Sequence, residues 1–321
     1  TAPVTLGGSG SGGVTMAGVL SGGSSLTKTN AGTLTVSGNN TLTGLFSAQA
    51  GTVVNTANWI GNGRGGQQAQ GGGAEAAAFW TNTVPMTIGS GAAGISNTFT
   101  VATQGVLQVN GAITVGANGA KYNALVVTDG GQFLGGSTVI IGTNASDNSY
   151  NVGGPGAKTT VTNGMIVVGG GAPAMRGNTM TVTNADLTST NIVYVGRAAS
   201  GNNTVTVLDN TTWNLLGNPL LVGGTTAGFA QGDWGSGIVS NNYFRIYGGT
   251  VTNASQVSVG KQSTSGNVAG LYNSQLVVSN TGKLFVNGSI IVADNYYSAN
   301  TAISNLLLVA DGGQVSSVGG Q

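Results

Sequence analysis

The chain has 321 residues, a formal net charge of +1 and only 5% charged side chains. That excludes the basic stripe that nucleic acid calls for and the polybasic patch of a membrane-surface contact. There is no cysteine and no histidine, which removes disulfides, thiol chemistry, the commonest general base and the commonest transition-metal ligand.

From the N-terminus, "PVTLGG" (3–8) is a short apolar strand closed by glycines. No signal peptide is visible in "TAPVTLGG", but one removed on export leaves no trace, so export stays open. "LTKTNAGTLTVSGNNTLTG" (26–44) then alternates apolar and polar positions at Leu34, Val36 and Leu42. Leu26, Lys28, Gly32, Leu34, Ser37, Gly38, Asn40, Thr41 and Gly44 fall in a phrase that resembles the autotransporter-associated β-strand repeat. Asn30 stands where that family has Gly, Val36 where it has Leu, and Leu42 where it has an aromatic residue. The resemblance covers about twenty residues. It implies a right-handed parallel β-helix exposed outside the cell, as in secreted bacterial proteins built from such repeats. It does not imply self-secretion, since no membrane-barrel region is seen in the sequence.

Residues 1–60 are therefore expected to form N-terminal solenoid coils, and the Gly/Gln/Ala-rich stretch 61–82 a loop insertion. Within it "AEAAAF" (74–79) has the composition of one helical turn. Trp59 just before the stretch, and Phe79 and Trp80 near its end, are candidates for stacking on a surface glycan or anchoring a protein interface.

From residue 83 to 321 one phrase recurs: an Asn, an apolar strand, a polar turn, then a strand ending in Gly. Examples are "NTFTVATQGVLQVNGAITVG" (97–116), "NTMTVTNADLTSTNIVYVG" (178–196) and "NTVTVLDNTTWNLLGNPLLVG" (203–223). The closing positions 116, 142, 169, 196, 223, 260 and 293 are spaced by 26, 27, 27, 27, 37 and 33 residues, with Ala293 in place of the last Gly. Glycine supplies 59 residues, yet 40% are hydrophobic and set at period two, so the chain reads as folded β-structure rather than disorder. A fixed period near 27 with Gly/Asn corners predicts an all-β solenoid, a parallel β-helix of about a dozen coils. The wide 37-residue interval reflects a second insertion at 224–241, where Phe229 and Trp234 are further loop aromatics.

Signs of catalysis are missing from the sequence. The carboxylates Glu75, Asp129, Asp147, Asp186, Asp209, Asp233, Asp294 and Asp311 are too few to stack as in solenoid polysaccharide-cleaving enzymes. Asp129 and Asp311 precede Gly-Gly and read as turn formers. No glycine run continues into the Lys-Ser/Thr of a phosphate loop, and the nine basic residues read as solvated coil edges. No enzyme activity, cofactor, metal site, nucleic-acid partner or membrane insertion is expected.

The final "LLLVADGGQVSSVGGQ" (306–321) repeats "ALVVTDGGQFLGGSTVIIG" (124–142) up to the point where "TVIIG" would begin. "PVTLGG" resembles that missing closing phrase, as in "PLLVGG" (219–224). The expectation is an extracellular or cell-surface structural protein that polymerises, the N-terminal strand of one subunit continuing the last coil of its neighbour. Pro3, Val4, Leu6, Leu306, Leu308, Val315 and Val318 would line that joint between identical subunits. A surface adhesin or autotransporter-like passenger is the alternative, and a carbohydrate-active β-helix enzyme a more distant one.

Overall fold

The computed structural model describes residues 2–319, other than 8–11, 19, 30–31, 37–40, 43–45, 49–50, 56–65, 71–77, 83–84, 93–94, 104, 110, 136, 171–174, 198–199, 225–237, 262–269 and 294–300. Its regular elements are all strands, and every strand pairing is parallel. The chain visits a first, a second and a third sheet in turn and then starts again one rung further on, which makes a parallel β-helix.

The first sheet has twelve strands, from Val4–Leu6 to Leu306–Val309. The second also has twelve, from Val14–Met16 to Gln314–Ser317. The third has eight, from Met86–Ser90 to Ile290–Val292. A short fourth line, Ile238–Ser240, Gly270–Tyr272 and Thr301–Ile303, joins only the last coils.

Period-two alternation decides which residues enter the interior. Along the first sheet Val101, Val127, Val152, Val182, Val207, Ile246 and Val278 stack in register, and each is at most 1% exposed. On the second sheet the matching column runs Trp80, Leu107, Phe133, Val161, Leu187, Trp213, Val251 and Leu284. Aromatic rings meet across the interior, edge to face for Trp80–Phe99 at 5.0 Å and Phe133–Tyr150 at 6.5 Å between centroids. Two of the large interior side chains find polar partners. Trp213 Nε1–H donates to Ser189 Oγ at 2.9 Å, and Asn163 Nδ2–H donates to the Tyr150 hydroxyl at 3.3 Å.

The corner that opens each repeat is held by a column of buried asparagines. In each step the backbone N–H and the side-chain amide of one Asn both donate to Oδ1 of the Asn one rung on. The distances are 3.0 and 2.8 Å for Asn97 to Asn123, and 3.1 and 2.9 Å for Asn123 to Asn148. The chain of bonds continues through Asn178 and Asn203 to Asn242. Ser274 takes the next place, buried, its Oγ without a partner, and Asn305 the one after. The recurring glycine abuts this column. At Gly116 φ is +75°, and a Cβ there would lie 2.2 Å from Cγ of Asn148, so only glycine meets both demands.

Two expectations need correction. The stretch 61–82 is not wholly a loop: Gly66–Gln70 is the fourth rung of the first sheet and Ala78–Asn82 that of the second. Ala78 and Phe79 are thus strand rather than helical turn, paired between Gly51–Thr52 and Gly105–Val106. Within 224–241, Ile238–Ser240 is also strand.

Candidate functional site

The residues picked out for a subunit joint lie at the two ends of the coil stack. Val4 and Leu6 belong to the first rung, with Pro3 just ahead of them. Leu306, Leu308, Val315 and Val318 belong to the twelfth. Within one chain the structure does not bring the two sets together. Val4 is 50% exposed and Leu6 half-buried against the core. Leu306 and Leu308 are 41% and 42% exposed, Val315 is half-buried, and Val318 is 80% exposed.

The register corrects one part of the expectation. "PVTLGG" resembles the closing strand, but Val4–Leu6 pairs with Leu26–Lys28 in the first sheet, not the third. The phrase misled because Val-Thr-Leu has the same alternation as an opening strand, and two inward residues carry no sheet label.

Sequence reasoning also missed the residue with the most telling environment. Val309 continues the valine column of the first sheet, in register with Val278, yet is 45% exposed where its predecessors are buried. Val14, which opens the second-sheet column, is 49% exposed. Counting in twos from Leu307 would have found Val309. These are interior side chains by position and surface side chains by exposure, at both ends of the described stack.

Of the loop aromatics, Trp80 is fully buried in the second-sheet column beside Phe99, so it cannot stack on a ligand. Phe79 is in the same strand. Trp59, Phe229 and Trp234 lie outside the described residues. Lys28, expected at a solvated edge, is instead 1% exposed and registers with Leu6 and Ala48 in the interior, where desolvation lowers its pKa.

The described carboxylates do not converge, and Glu75, Asp233 and Asp294 lie outside the described residues. Asp129 and Asp311 sit in turns at φ +50° and +49°, and Asp129 Oδ1 accepts the Gly156 N–H at 3.2 Å. Asp186 pairs with Lys158 at 2.7 Å on the surface. Among the described residues there is no group of three or more metal-ligating side chains. A shallow groove at the corner between the first two sheets is lined by Gly154, Pro155, Thr183, Asn184, Asp209 and Asn210. Its asparagines are committed to structure: Asn184 Nδ2–H donates to the Gly154 and Gly156 carbonyls at 2.9 Å each, and Asn210 donates to Asn184. No helix among the described residues is long and apolar enough to cross a membrane. No family model, curated protein or solved structure is significantly similar to this chain.

Proposed function

We propose that this is a non-catalytic, extracellular structural protein whose copies stack head to tail into a filament or surface fibre. The observation that carries this reading is the long parallel ladder itself: twelve rungs stack in register in each of the first two sheets over a buried apolar interior. A parallel strand row adds a further strand through its main chain, whatever the side chains. Low charge supports the same reading, since +1 over 321 residues leaves little repulsion between copies. Such a contact joins unlike faces and does not close on itself, so it propagates. The resemblance of 26–44 to an autotransporter-associated repeat supports the extracellular setting.

Electron microscopy of the purified 321-residue chain tests this. Filaments are expected, and their loss when residues 1–8 are removed. Particles that stay monomeric at high concentration would overturn the reading. An adhesin role now has less behind it, since Trp80 is in the core.

A further inference from the structure

We infer that Asn287 is a self-modification site, where the chain converts its own asparagine to aspartate and isoaspartate, while the fold holds two other Asn-Gly pairs inert. The site stands whether or not copies of the chain stack.

Asparagine is among the chemically labile side chains. In an Asn-Gly pair the glycine nitrogen, once it has lost its proton, attacks Cγ of the asparagine. A C–N bond forms, the side-chain nitrogen leaves as ammonia, and a cyclic imide remains. Water then opens the imide at either carbonyl, to aspartate or to isoaspartate. Nothing is oxidised or reduced, and water is the only co-reactant. Glycine favours the ring because it has no Cβ to obstruct the approach. The reaction still needs an uncommitted side-chain amide, an uncommitted glycine N–H and access for solvent.

Asn-Gly pairs begin at Asn62, Asn110, Asn118, Asn163 and Asn287. Asn62 and Asn110 lie outside the described residues. The others occupy different places in the coil. Asn163 ends a second-sheet strand with its side chain inside, 0% exposed, its amide donating to the Tyr150 hydroxyl at 3.3 Å. Solvent and base cannot reach it unless the coil opens. Asn118 lies half-buried in the turn after the third-sheet strand Ile113–Ala117. There the nucleophile is occupied, because Gly119 N–H donates to Asn144 C=O of the next coil at 2.7 Å.

Asn287 meets all three conditions. It is exposed at the corner between Lys283–Val286 and Ile290–Val292. Its side chain makes no hydrogen bond among the described residues, and Gly288 N–H donates to none of them. The fold also fixes the glycine, since a Cβ at 288 would run into Ser255 C=O. Gly288 C=O accepts from Ser317 Oγ at 2.6 Å. Isoaspartate would lengthen the main chain by a methylene at this packed corner.

Peptide mapping of the whole chain, aged in mildly alkaline buffer with and without urea, tests the site. In the folded chain the acid forms should accumulate at position 287. Conversion at Asn118 and Asn163 should be at least about tenfold slower, since each must open locally first. In urea the three pairs should convert within about threefold of one another, since they share the Asn-Gly sequence and lose their native contacts. An Asn287 that stays intact in the folded chain, or converts no faster than Asn118 or Asn163, would overturn the inference. A lead for Asn287 that persists unchanged in urea would assign the selectivity to local sequence and overturn it as well.

Discussion

At the scale of single residues, the asparagine column is the part of the molecule where one side chain satisfies several buried groups. Asn178 Oδ1 accepts from the backbone and side chain of Asn148 at 3.1 and 3.3 Å, while its own amide donates to Ala145 C=O and Asn203 Oδ1. Asn178→Ala orphans these partners inside a buried corner and should cost about 2–4 kcal/mol in urea denaturation. Asn151→Ala, on the outer face, should change stability by less than about 0.5 kcal/mol. The serine at 274 is the converse case, since its Oγ is buried without a partner. Ser274→Asn supplies the missing amide and should raise stability by about 1 kcal/mol, read as a higher midpoint in the same assay. Tyr150 adds a pH term. Burial pushes its hydroxyl above the ordinary 10.0, so above about pH 10 the unfolded chain releases a proton that the folded chain keeps. Stability contributed by Tyr150 is present below that pH and falls as pH rises through it. Lys28 acts in the opposite sense: its lowered pKa means the folded chain binds fewer protons, and stability rises as pH climbs toward 10.5. The two separate in Tyr150→Phe, whose stability-versus-pH curve should lose the alkaline fall seen in the parent.

At the scale of strands and coils, alternation made the architecture legible. "TMTVTN" and "TVTVLD" declare strands, and the spacing of closing glycines declares stacked coils. The recurring Asn and Gly were also visible, although their shared reason, an amide column packed against a Cβ-free corner, needs the third dimension. Other features were hidden for physical reasons. "GQQAQ" (66–70) has poor intrinsic strand preference and is a strand because Phe46–Ala48 and Thr98–Ala102 pair with it on either side. Trp80 looked like a loop aromatic because glycines precede it, yet "AFWTN" sits between two strands and turns the indole inward. Asn163 and Ser189 lie inside beside Tyr150 and Trp213, whose polar atoms need partners. The joint residues were half legible: strand edges and apolar content could be read from sequence, but assigning "PVTLGG" to a sheet required the register.

At the scale of the whole molecule, each coil touches mainly its neighbours, so length follows from the number of rungs. Twelve rungs at about 4.8 Å each give on the order of 55–60 Å per subunit. Fibres of copies stacked head to tail should show that axial repeat in electron micrographs, and a repeat near twice that length would contradict end-on stacking of equivalent subunits. Val309→Asp places a carboxylate at the end of the valine column. It should abolish fibres while shifting the thermal midpoint of the free subunit by only a few degrees, because Val309 is already 45% exposed there. The amide column has one more effect at this scale. From Asn97 to Asn242 every bond from one asparagine to the next runs toward the higher-numbered coil, while the amides of Asn148, Asn178 and Asn242 also donate to carbonyls of the coil behind. The molecule therefore has a head and a tail in its hydrogen bonding as well as in its sequence. Any polymer that preserves this order is polar, with chemically distinct tips that elongate at different rates, and a blocker of one tip leaves the other free to grow.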